Sequence, residues 1–165
     1  MISEEIEKML LSKSIENVFK TMMGYEVSYS DNDEGGDISK HEHYTATIGF
    51  AGGWNGFVSI TCSTDTAKFI TSLLLGLDST KVTCEDIRDA IGEVANMVGG
   101  RFKSLFSELQ NSGKEVFKMS IPSVIQGSEY NIFAPADSGN TKVVVNVKDG
   151  KLVALLALQE DSNSK

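Results

Sequence analysis

Apolar residues recur at intervals of three and four from Ser3 to Met23 (Ile6, Met9, Leu10, Ile15, Val18, Phe19, Met22, Met23), the spacing of one buried helix face. Ser3 stands where an N-cap belongs and Gly24 where a left-handed C-cap ends a helix. A second helical pattern covers DTAKFITSLLLG, and a third runs from Thr83 to about Gln110, opened by Thr83 with Asp86 three residues on, a capping-box variant. The remainder reads as strands. YEVSY is a short one, and HYTATIGF and GFVSITC flank AGGWN as a hairpin. VFKMSIP, YNIF, KVVVNV and KLVALLAL follow, with Asp149-Gly150 as the turn signal between the last two. Apolar helical stripes and alternating strands must cover each other. The pattern therefore predicts an α+β domain in which an antiparallel sheet packs against two long helices.

Composition changes this picture little. A chain of 165 residues fits one domain, 1–165, with no linker-like shift to divide it. The stretch DNDEGGD, 31–37, combines charge with Gly-Gly and reads as a solvated loop, and residues 160–165 as a frayed tail. Asp and Glu number 23 against 15 Lys and Arg, a net charge of -8 without a basic and aromatic cluster, which argues against nucleic acid as a partner. The start MISEEIEKMLL carries acids where a signal peptide needs bases, and no apolar run reaches the roughly 18 to 20 residues of a membrane span. A cytoplasmic protein with two unpaired, buried or half-buried cysteines, Cys62 and Cys84, is expected.

The third helix holds the candidate chemistry. At about 100° per residue, Ile87, Ile91, Val94, Val98, Phe102, Leu105 and Leu109 form one stripe, while Asp89, Glu93, Asn96, Gly100 and Lys103 gather on the far side. Polar residues on a solvated face are ordinary. Gly92, Gly99 and Gly100 are not, because each costs about 1 kcal/mol relative to Ala inside a helix. Close packing by another helix would account for Gly92 and Gly99, and room for an approaching partner for Gly100. The face reads as a docking surface built from Asp89, Gly92, Gly100 and Lys103 around Glu93 and Asn96.

Other candidates are weaker. His41 and His43 alternate in KHEHY and would share a strand face, but a two-histidine metal site lacks further ligands, so solvent-exposed histidines are expected and no metal site. Trp54 reads as packing. No G-x-S-x-G, P-loop, H-E-x-x-H or C-x-x-C occurs.

The spacing D-x₃-E-x₂-N (Asp89, Glu93, Asn96), followed downstream by SIPSVIQG with Pro122, resembles the CheX and CheC chemotaxis phosphatases, and the element order extends that likeness over most of the chain. Helix one has Phe19 where a second motif, Ser12-x₃-Glu16-x₂, would need asparagine, so a single site per chain points to the CheX branch. The resemblance implies hydrolysis of the aspartyl phosphate on a CheY-type response-regulator receiver. Asn96 would hold the attacking water and Glu93 would pair with the receiver's lysine. Mg²⁺ would be supplied by the receiver, with no cofactor bound by this chain, and the protein would be a homodimer. The alternative is a non-catalytic adaptor of the same fold that docks on a receiver or the flagellar switch.

Overall fold

The computed structural model describes residues 2–30, 38–111, 113 and 115–163. The expected acidic loop, 31–37, and the end of the tail, 164–165, lie outside the described residues. Ser3 caps the first helix, α1 (Glu4–Met23), by accepting from the Ile6 N–H, and Gly24 closes it at φ 61. A two-residue strand, β1 (Ser28–Tyr29), leads to the hairpin of β2 (His43–Gly52) and β3 (Trp54–Ser63). Helices α2 (Thr64–Leu75) and α3 (Cys84–Gln110) follow, then β4 (Phe117–Met119), β5 (Ser123–Gly127), β6 (Gly139–Val147) and β7 (Gly150–Glu160). The capping box at the head of α3 is complete: the Thr83 hydroxyl accepts from the Asp86 N–H and the Asp86 carboxylate accepts from the Thr83 N–H. This satisfies two of the donors a helix start leaves without partners.

All seven strands join one antiparallel sheet in the order β1-β6-β7-β3-β2-β4, with β5 also paired to β2. Alternation along the strands gives the sheet two unlike faces. Tyr44, Ala46, Ile48 and Phe50 of β2, Val58, Ile60 and Cys62 of β3, and Leu152, Ala154, Leu156 and Leu158 of β7 join the core with Leu11, Ile15 and Phe19 of α1 and Ile91, Val94, Val98 and Phe102 of α3. The antiparallel sheet under two long helices is the expected arrangement, with the shorter α2 packed beside them. An aromatic cluster locks the far end of α3 onto the sheet, where Phe50 stacks on Phe117 at 4.3 Å and Phe106 meets the edge of Trp54 at 5.2 Å. Each such ring contributes about 1.5–3 kcal/mol by burial.

Several sequence expectations change, among them the burial of Cys84, which is exposed in the first turn of α3 while Cys62 is buried as expected. YNIF, 130–133, is not a strand. The β6–β7 turn is Lys148-Asp149, with Lys148 at φ 53 and Val147 facing Gly150, one residue earlier than the Asp149-Gly150 signal. Gly150 is needed inside β7 instead, because a side chain there would run into the Thr66 hydroxyl of α2. The α3 stripe ends on buried Phe106 in place of Leu109, which is 47% exposed.

Candidate functional site

Along α3 the buried residues sweep from Ala90 through Val94, Ile87, Val98, Ile91, Phe102, Ala95 and Phe106 to Gly99 and Gly92. Taking Gly92 as origin, Asn96 lies about 40° and Glu93 about 100° round the helix toward solvent. Burial follows this geometry: Glu93 and Asp89 are exposed, whereas Asn96, Gly100 and Lys103 are half-buried. Asn96 stays on the side away from the apolar stripe, as helical periodicity placed it, but it is half-buried, because the buried Gly92 lies only about 40° from it round the helix.

That edge is made by β4 and β5, which run along β2 one after the other. A Cβ on Gly92 would lie 3.3 Å from Val124 Cγ2 and 3.6 Å from Pro122 Cβ, and one on Gly99 would lie 3.3 Å from Met119 Cε. The two glycines therefore admit the edge segment and the sheet, not another helix. Gly92 is covered by its own chain, which removes it from the expected partner-contacting set. A Cβ on Gly100 would meet nothing within 4 Å, so this position is open. Asn96 falls between Gly92 and Gly99 on the same flank, one turn from each. Lys103 is already engaged, its Nζ 2.7 Å from Glu115 Oε1, and that ammonium holds the Glu115 carboxyl below its ordinary value.

The equivalent stretch of α1 is closed. Phe19 is fully buried in the core and the Tyr29 hydroxyl donates to Glu16 Oε2 at 3.1 Å, so helix one presents no second site among the described residues. His43 corrects another expectation: it is buried, its Nδ1 2.7 Å from the His41 carbonyl and its ring stacked 4.1 Å from Tyr130. The Tyr130 hydroxyl donates to Thr45 Oγ1, itself 2.8 Å from Thr61 Oγ1. These side chains line a cavity of about 450 Å³ on the sheet face turned away from α3. The Gly-rich hairpin had given no sign of this polar cluster, since Tyr130 arrives from a distant segment. Among the described residues, no three His, Cys, Asp or Glu side chains converge as a metal site would require. No helix there is long and apolar enough to cross a membrane.

A long helix lies across one face of an antiparallel sheet and carries a carboxylate, an amide and an uncovered glycine on its outer side. Residues 44–148 match the family "Chemotaxis phosphatase CheX". The chain belongs to that family. In solved structures it resembles chemotaxis protein CheX from Vibrio vulnificus, with a TM-score of 0.77 and 24% identity, covering 96% of this chain and 100% of that one. A CheC-like superfamily protein from Shewanella sp. PV-4 gives 0.72 and 25%, covering 96% and 99%. CheX in a complex with CheY, BeF₃ and Mg²⁺ from Borrelia burgdorferi gives 0.68 and 21%, covering 92% and 97%. Comparison with curated proteins gives no significant match.

Proposed function

We propose that this protein hydrolyses the aspartyl phosphate of a CheY-type receiver, with Glu93 and Asn96 as its chemical groups. The observation that carries the reading is their joint presentation on α3 beside Gly100, where, its own helix backbone and chain neighbours aside, no atom of the described residues lies within 4 Å of the missing side chain. Membership of the CheX family supports it, and so does the likeness to a CheX that forms a complex with CheY, BeF₃ and Mg²⁺.

The reaction needs water to attack phosphorus while the bond to the aspartyl oxygen breaks, yielding the free carboxylate and inorganic phosphate. Little covalent work falls to the protein, so positioning and electrostatics dominate. An amide suits this role. Asn96 both donates and accepts, and can orient a water beside a phosphoryl group that would repel a carboxylate. Glu93, further out and exposed, is placed to pair with a lysine of the receiver. Mg²⁺ would be held by the receiver and would supply positive charge to the phosphoryl group there, with none bound by this chain. Assembly as a homodimer, through the free sides of sheet edges, is part of the same proposal.

The test is release of inorganic phosphate from a phosphorylated CheY-type receiver in Mg²⁺, with and without this protein. Acceleration is expected with the wild-type chain and loss of about 10²-fold with Asn96→Ala. A chain that binds the BeF₃-activated receiver without accelerating phosphate release would instead be an adaptor.

A further inference from the structure

The edge segment beside Asn96 carries one residue more than the strand it pairs with. Phe50 faces Met119 and Thr47 faces Ser123, so Ile48 and Gly49 of β2 oppose three residues, Ser120, Ile121 and Pro122. This is a β-bulge, a device that bends an edge strand and re-aims a side chain. Here it turns Ile121 outward to 84% exposure, the highest of any large apolar residue described, while Val124 of the same segment packs against α3.

The bulge is held from both sides. The Ser120 N–H donates to the Gly49 carbonyl at 2.9 Å, the Gly49 N–H donates to Ser120 Oγ at 2.8 Å, and that hydroxyl donates to the Ile121 carbonyl at 2.8 Å. Pro122, which could not donate to a ladder, fits the interruption and rests over Gly92. Ile121 is thus presented on a fixed backbone, next to the flank of α3 on which Asn96 lies between Gly92 and Gly99.

A single exposed isoleucine needs no explanation by itself. An isoleucine turned out by a pinned bulge, next in the chain to the proline that covers Gly92 one turn from the candidate amide, does, because a site made only of Glu93 and Asn96 offers charge and hydrogen bonds but little area to desolvate. We propose that Ile121 is the apolar anchor of the docking face, seating against apolar side chains beside the phosphorylated aspartate of the receiver. This rests on the receiver-phosphatase reading above. Ile121 acts on affinity and on the choice of receiver, while Asn96 and Glu93 act on the phosphoryl group.

The test compares wild type, Ile121→Asp, Ile121→Leu and the control Phe133→Asp. Phe133 is as exposed, at 82%, but lines the cavity on the opposite sheet face. Binding to a BeF₃-activated CheY-type receiver and steady-state phosphate release are measured after equal thermal melting is confirmed. Ile121→Asp is expected to raise Kd and KM about tenfold or more, with kcat at saturating receiver within about twofold of wild type. Ile121→Leu and Phe133→Asp should behave as wild type. Wild-type affinity in Ile121→Asp, or equal weakening in Phe133→Asp, overturns the anchor while leaving the phosphatase reading intact. A wild-type chain that neither binds nor dephosphorylates a receiver overturns both.

Discussion

Pro122 lies over Gly92 in the space where a side chain would stand, 3.6 Å from the position of the missing Cβ. The bare backbone of Gly92 is therefore spent on joining α3 to the edge of the sheet, and that of Gly100, which faces open space, is not. The two glycines should respond in opposite ways. Gly92→Val should destabilise the fold by about 1–3 kcal/mol through overpacking against Val124 and Pro122. Gly100→Ala should stabilise it by up to about 1 kcal/mol through helix propensity. Urea unfolding midpoints would check both signs. Gly100→Leu should fold as well as wild type and lose receiver binding, read by titration against an activated receiver.

Glu93 and Asn96 differ in what they should cost when removed. Asn96→Ala should lower turnover by about 10²-fold with receiver affinity nearly unchanged, because the amide is needed in the transition state. Glu93→Ala should weaken binding as well, since an ion pair with the receiver lysine forms before chemistry. Single-turnover phosphate release set beside equilibrium binding separates the two effects. Equal loss of affinity in both variants would contradict the division.

Glu7 gives a dependence on pH. Its side chain is 5% exposed and its Oε2 accepts from the Thr141 hydroxyl at 2.7 Å. Burial raises its pKa above the ordinary 4.5, the Thr141 hydrogen bond opposes that, and Glu4 adds to it. The folded chain thus keeps this proton to higher pH than the unfolded chain, so Glu7's contribution to stability is full below 4.5 and falls as pH rises through the raised value. Glu7→Gln keeps an oxygen for Thr141 and removes the charge. The stability difference between Glu7→Gln and wild type should therefore move in favour of the variant from pH 4 to pH 7, measured as urea midpoints. A difference that stays flat would contradict the assignment.

The two cysteines should react at very different rates. Burial pushes the Cys62 thiol up to about 12, whereas Cys84 is exposed in the first turn of α3. A thiol reagent at pH 8 should modify one cysteine in the native protein, at Cys84, and two in denaturant. Rapid modification of both under native conditions would mean that β3 opens readily.

Much of the fold was legible because local rules decide it. Ser3, Gly24 and the Thr83–Asp86 pair bound two helices through hydrogen bonds that span only a few residues. The apolar runs of β2, β3, β6 and β7 and the turn signals between them likewise marked these segments as strands. The same periodicity brought Glu93, Asn96 and Gly100 to one region of α3. It could not show which glycines were covered, because Gly92 and Gly99 are occupied by Val124, Pro122 and Met119 from an edge segment that follows the helix in the chain.

Only the tertiary structure decided the rest. A side chain at Gly150 inside β7 would run into Thr66 of α2, and Tyr130 stacks on His43, a buried histidine that local sequence placed in water. Ile121 turns outward because three residues of the edge face two of β2, a mismatch that Pro122 hinted at but that pairing alone creates. Periodicity within one segment fixes which side of it is apolar. What meets that side depends on strand register and on close approach between segments distant in sequence, and those are settled only when the whole chain packs.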